Sequence, residues 1–250
     1  MAQSWIKTCA RWKDQWPVFN KEYLDDSNGI NMYAVLEHLN KTTNDNHILM
    51  TDAGSGSYIC PVGLNLKSGQ RLISSPSQAD MGWALPASIG VAIESGQCVI
   101  PIIGDGSFMT NIQELATVSY HSLNIKFIIL NNNGYLSIKN TPSKYFNGRV
   151  YGAECENGFR IPDLKGIATA FGIEYQRIEK LSNSHLISEQ FLHNRPVIID
   201  IICSTEQEVL PYQALKNGQQ AGPHDMAPFL AEEIIKEEAF VNLPYVKPKT

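Results

Sequence analysis

From about residue 30 onward, short apolar runs alternate with segments whose apolar residues recur at helical spacing. Residues 30–39 have the helical period, and residues 47–52 read as a strand. Residues 71–74 form a shorter strand, and 81–94 have helical spacing despite Pro86. Two apolar runs, 98–103 and 125–130, flank a helix-period segment at 108–121. Beyond them a loop is expected through about residue 160. Pro162 then opens a helix that ends near Phe171-Gly172, where glycine suits a C-cap. Residues 173–178 and 197–203 read as strands around a helix at 184–192, and a last helix spans about 225–240. This alternation predicts an α/β fold, a doubly wound and mostly parallel sheet flanked by helices.

Three regions differ in character. In residues 1–25, Trp5, Ile6, Trp12, Trp16, Pro17 and Phe19 are interleaved with lysine and aspartate, which predicts a helix and linker packing on something. Residues 26–220 hold the strand–helix alternation. Residues 221–250 read as a C-terminal helix and tail.

Composition narrows the function classes. Hydrophobic residues make up 43% and charged residues 18% of the 250, as in an ordinary globular protein large enough for a buried core. A net charge of -5 with no basic block leaves no electrostatic footprint for nucleic acid. The apolar runs are too short for a membrane span, and the N-terminal segment has no signal-like apolar core. The 5 cysteines are scattered with no Cys-x-x-Cys, so free thiols in a reducing cytoplasm are expected. The 6 histidines share no metal-ligand spacing.

The chemistry concentrates where strands end. Gly104-Asp105-Gly106-Ser107 follows the 98–103 run, and Asn131-Asn132-Asn133-Gly134 follows the 125–130 run. In a parallel strand–helix–strand unit both motifs reach the carboxyl ends of neighbouring strands. A carboxylate and an amide oxygen then stand side by side, next to free backbone N–H groups. Such hard oxygen ligands suit a divalent cation that carries a diphosphate. Asp105, Asn132 and the Gly134 carbonyl supply three positions of an octahedron. Gly106 admits close backbone approach and the Ser107 hydroxyl can donate. The run is not a dinucleotide fingerprint, because Met109 stands where a third glycine belongs. Residues 51–57, with Gly54 and Ser55 at the turn, form a second small-residue loop after a strand, suited to phosphate contact through backbone N–H groups.

These motifs, their spacing of 27 residues from Asp105 to Asn132 and the intervening Gln113-Glu114-Leu115-Ala116-Thr117 resemble the thiamine-diphosphate signature of the acetolactate synthase and 2-oxoacid decarboxylase superfamily. The likeness covers about residues 4–232 and is to the C-terminal, diphosphate-binding domain. It implies thiamine diphosphate and Mg²⁺ as cofactors, with Asp105, Asn132 and Gly134 on the metal. It implies cofactor contacts at Gly54, Ser55, Gln78, Met81, Gly104, Gly106, Ser107 and Tyr135. Met81 aligns with the apolar wedge that bends the cofactor into its reactive shape. The 135–151 segment is expected at the substrate end. It departs from that of acetolactate synthases, and within it Lys139 or Arg149 is expected to pair with a substrate carboxylate or, more simply, to face solvent. Asp200, inside an apolar run, reads as structural.

The resemblance also implies what is missing. The glutamate that activates the aminopyrimidine lies in another domain of the family, and no segment of these residues matches that domain. The expected partner is therefore a pyrimidine-binding domain, on another subunit of a split enzyme or on the remainder of a larger one, in an oligomer acting on a small 2-oxo acid. Alternatives are a β-like subunit of a 2-oxoacid oxidoreductase and a non-catalytic cofactor-binding paralogue.

Overall fold

The computed structural model describes residues 2–212, 215–216, 219–220 and 222–241. It divides into two compact units, Met1–Gln207 and Glu208–Thr250.

In the first unit the chain runs α1 (Ala2–Gln15), α2 (Met32–Thr42), β1 (His47–Thr51), α3 (Ser55–Gly63), β2 (Leu72–Ile73) and α4 (Ala84–Ser95). It continues through β3 (Cys98–Gly104), α5 (Asp105–Met109), α6 (Leu115–Tyr120), β4 (Lys126–Asn131) and α7 (Leu136–Tyr145). The unit closes with α8 (Leu164–Ala170), β5 (Glu174–Ile178), α9 (His185–Glu189) and β6 (Val197–Ile202). The second unit holds the antiparallel pair β7 (Leu215–Lys216) and β8 (Gln219–Gln220), then α10 (Glu232–Glu238).

The six strands of the main sheet are all parallel, in the order β2-β1-β3-β4-β6-β5. This is the doubly wound α/β fold expected from the sequence. The inner strands β1, β3, β4 and β6 are buried almost throughout, which is why they read as unbroken apolar runs. One core joins Ile48, Met50, Leu85, Val99, Ile103, Phe108, Phe127 and Ile129, so α4 and α5 pack on one face of the sheet. The order reverses between β1 and β3. In open α/β sheets that switch point is where a crevice opens beyond the strand ends. Register then fixes the chemistry. Gly104 pairs with Leu130, so Asp105 and Asn132 leave neighbouring strands almost level with one another.

Several expected elements are shorter or displaced. Residues 108–121 are not one helix. The Thr110 hydroxyl bonds the Ser107 carbonyl at 2.7 Å, and Asn111 turns out of helical geometry (φ -130°, ψ 32°) before a 3-10 turn, Ile112–Glu114. Short polar side chains here compete with the helix for backbone groups. The helix expected from residue 81 starts at Ala84, because Gly82 sits at φ +84°. Pro86 then falls in the first turn, where its missing N–H has no helical partner to lose. Residues 136–145, expected as loop, form α7 with Pro142 inside it. The final helix covers only Glu232–Glu238, and Pro228 interrupts the longer span expected.

Candidate functional site

Three strand ends and the segments that leave them enclose one cleft. Ala53, Gly54, Ser55 and Gly56 come from the end of β1 and the start of α3. Gly104, Asp105, Gly106 and Ser107 come from β3 and α5. Asn132, Gly134, Tyr135, Leu136, Ser137 and Ile138 come from β4 and α7, and Met81 arrives from the turn before α4. Every cofactor or metal residue expected from the sequence lines this cleft except Gln78. That residue is exposed in the turn 76–78 and does not reach the cleft wall. Ser137 and Ile138 belong to the 135–151 segment expected at the substrate end, but a helix rather than a loop presents them.

Asp105 is 1% exposed. Its Oδ1 accepts the Gly106 N–H at 2.7 Å and its Oδ2 the Gly134 N–H at 3.0 Å. Among the described residues no lysine, arginine or histidine pairs with it. Burial pushes its carboxyl up to about 7, against the pull of the Gly106, Gly134 and Asn133 N–H groups. Asn132 is buried beside it, and its side-chain amide makes no hydrogen bond among the described residues. The Ser107 hydroxyl likewise faces the cleft without a protein partner. Any side chain at Gly106 would have to displace the Tyr135 ring. A Cβ there would stand 2.2 Å from the Tyr135 ring, which is itself packed on Phe159 at a centroid distance of 4.2 Å.

Oxygen donors around an unneutralised carboxylate fit a hard divalent cation. Among the described residues no group of three His, Cys, Asp or Glu side chains could hold a metal ion. A cation at Asp105 would therefore need its other ligands from groups such as the Asn132 amide, a backbone carbonyl and those it brings with it. The residues present fit both the cation and a diphosphate.

Asp52, 3% exposed, went unrecognised in the sequence beyond its place in the turn. Its Oδ1 accepts N–H groups of Ala53 at 2.6 Å and Gly82 at 2.9 Å, and its Oδ2 that of Ala84 at 3.0 Å. Burial raises its carboxyl above the ordinary value, while the N–H groups of Ala53, Ala84 and Gly82 oppose the shift. No local pattern marks a carboxylate that captures a turn 30 residues away.

On the far side of the metal loop, Lys139 is not a solvated charge. It bonds Glu154 at 2.8 Å and Glu206 at 3.1 Å. The hydrogen bond it donates to Glu154 is the leading reason its ammonium titrates above the usual lysine range. Glu154 bridges Gly134 through the backbone, and the Tyr135 N–H donates to the Ala153 carbonyl at 2.8 Å. Arg149 is exposed. Asp200 is structural in its contacts, accepting from Tyr175 at 2.6 Å and Asn131 at 2.8 Å, with Arg177 at 3.4 Å.

A parallel doubly wound sheet whose switch-point cleft carries a bare carboxylate defines a class of phosphate- and cation-binding α/β domains. Within that class the assignment is specific. Residues 52–201 match the model of the thiamine pyrophosphate enzyme C-terminal TPP binding domain, and the chain belongs to this family. The cofactor pair that membership implies is thiamine diphosphate with Mg²⁺. The chain is similar to acetolactate synthase 2, chloroplastic, of Zea mays, 28% identical over 83% of this chain and 33% of that protein. It is similar to the acetolactate synthase large subunits of Porphyra purpurea (27%, over 88% of this chain and 37% of that one) and Lactococcus lactis subsp. lactis strain IL1403 (25%, over 83% and 35%). The chain thus spans about a third of the length of the curated relatives it matches.

Proposed function

We propose that this chain is the diphosphate- and Mg²⁺-binding part of an acetolactate synthase-like enzyme that acts on 2-oxo acids, by decarboxylation with carboligation or release. The observation that carries the reading is the pairing of Asp105, buried with only backbone partners, with the unpartnered Asn132 amide in the switch-point cleft. Asp105, Asn132 and the Gly134 carbonyl hold the cation. Gly54, Ser55, Gly106 and Ser107 line the diphosphate, and Met81 supports the ring portion. The bound cofactor supplies an electron sink for breaking the bond to the 2-oxo acid carboxylate. Tyr135, Ser137 and Ile138 line the same cleft from the β4–α7 side.

The reading requires a pyrimidine-binding partner domain that brings the activating glutamate, within an oligomer. Its support is that the relatives are about three times longer than the matched region. The test is calorimetry of the 250-residue chain with thiamine diphosphate, with and without Mg²⁺, followed by 2-oxo acid consumption. Binding should need Mg²⁺, and turnover should appear only after a pyrimidine-domain partner is added. Equal affinity in EDTA would refute the metal site. Turnover by the isolated chain would refute the partner requirement. Binding with no turnover alongside any pyrimidine-domain partner would identify a non-catalytic paralogue.

A further inference from the structure

We infer that Asp52 is a positioning residue for the cofactor ring, acting by clamping the Met81-Gly82 turn against the cleft. The inference rests on the reading of Met81 as the residue under the ring.

The turn 81–83 has little of its own to hold it. Met81 is 40% exposed, so packing does not fix it. Gly82 adopts φ +84°, and a side chain there would meet the Thr110 hydroxyl at 1.7 Å, so turn and neighbour approach very closely. α4 receives no cap from its own N-cap residue, Trp83. Asp52 fills that role from a distant strand. Its two oxygens take the N–H groups of Gly82 and Ala84, one before the helix and one at its first position. The opposite side of the turn is held through its carbonyls. Thr110 donates to the Met81 carbonyl at 3.0 Å and Asn111 to the Gly82 carbonyl at 3.1 Å. The N–H groups thus point to β1 and the carbonyls to the segment after α5. Met81 is stretched between the two strand ends that line the cleft.

A buried carboxylate without a cationic partner is expensive. If its only role were to start a helix, a serine or threonine at position 83 would serve at lower cost. What a local cap cannot do is set the height of Met81 relative to β1 and β3. A carboxylate rooted in β1 does so, because it ties the turn directly to the sheet that carries Gly54 and Asp105.

The test separates ring placement from tail binding by using two probes, thiamine diphosphate and inorganic diphosphate, each with Mg²⁺, in calorimetry of the full chain. Wild type should bind thiamine diphosphate more tightly than inorganic diphosphate. Asp52→Asn should leave inorganic diphosphate within about twofold and weaken thiamine diphosphate about five- to twentyfold, the loss of one charge-assisted bond. Met81→Ala should do the same, and the double variant should be no weaker than either single one. Thr110→Val, which removes the hydroxyl shared between the Met81 and Ser107 carbonyls, should shift thiamine diphosphate alone, by about two- to fivefold. Hydrogen exchange on the cofactor-free chain reads the clamp itself. Gly82 and Ala84 should exchange faster in Asp52→Asn. Faster exchange with unchanged discrimination between the probes, equal weakening of both probes, or full additivity in the double variant would overturn the positioning role. Unchanged exchange would overturn the clamp. Failure of wild type to prefer thiamine diphosphate would instead overturn the underlying reading of the cleft.

Discussion

Asp105 and Asp200 are both about 1% exposed; Asp105 directly follows β3 and Asp200 lies in β6, the two strands that flank β4. Their surroundings are opposite. Asp200 meets a tyrosine hydroxyl, an asparagine amide and a guanidinium, so its acceptor sites are filled by side chains the protein supplies. Asp105 meets only backbone N–H groups, faces the unpartnered Asn132 amide, and has its carboxyl pushed up to about 7. One carboxylate is complete within the fold; on the proposed reading, the other is completed by the cation it would hold. Burial alone therefore does not mark a functional acid. Burial together with an unfilled partner list does.

The contrast predicts opposite failures. Asp105→Ala should weaken Mg²⁺-dependent thiamine diphosphate binding by at least about 100-fold while leaving the fold intact, as calorimetry and thermal unfolding in parallel will show. Asp200→Ala should destabilise the first unit by about 2–4 kcal/mol in urea, because Tyr175 and Asn131 lose a buried acceptor, yet keep cofactor affinity within about tenfold. If the two variants behave alike, the contrast has no functional meaning.

A buried cation extends the comparison. Lys126 is fully buried, bonded to the His193 and Arg195 carbonyls, and desolvation lowers its ammonium to about 8. Between that value and the ordinary 10.5 the unfolded chain binds more protons than the folded one. The contribution of Lys126 to stability must therefore rise with pH across the window. Relative to Lys126→Met, wild type should gain up to about 3 kcal/mol from pH 7 to pH 10 in chemical denaturation. A flat or falling difference would show that the charge is better solvated than its burial implies.

The smallest expected effect is at Lys139. Lys139→Met should raise the Mg²⁺ concentration needed for half-maximal cofactor binding about three- to tenfold, through loosening of Glu154 and the Gly134 strand bridge, with Lys139→Arg recovering part of the loss. An unchanged Mg²⁺ midpoint would confine that ion pair to the surface.

The parts of this molecule legible in its sequence are those fixed by local pattern. Strands β1, β3, β4 and β6 announced themselves because both faces of the sheet are covered, leaving their residues little choice but apolar. That Asp105 and Asn132 share a cleft is legible because parallel pairing brings consecutive strand ends together whatever lies between. What escaped depends on distant partners. Thr110 and Asn111 break the 108–121 helix in favour of the Met81-Gly82 carbonyls. Asp52 is explained only by a turn on another segment. α7 was hidden because Pro142 and a polar run obscure its period, although the buried Leu136 anchors its start. Gln78 was drawn in by the motif around it, but its turn holds it in solvent.

The contact between Gly106 and the Tyr135 ring has a consequence for how such a chain can diverge. With 2.2 Å available to a Cβ, even alanine at 106 forces the ring of Tyr135 to move. The two positions therefore drift most easily in one order. A smaller residue arises at 135 first and leaves Phe159 without its stacking partner. Lineages that take that first step can afterwards explore position 106. Lineages that keep the tyrosine favour glycine at 106, and a mutational library varying 106 alone should be strongly enriched in glycine among its survivors.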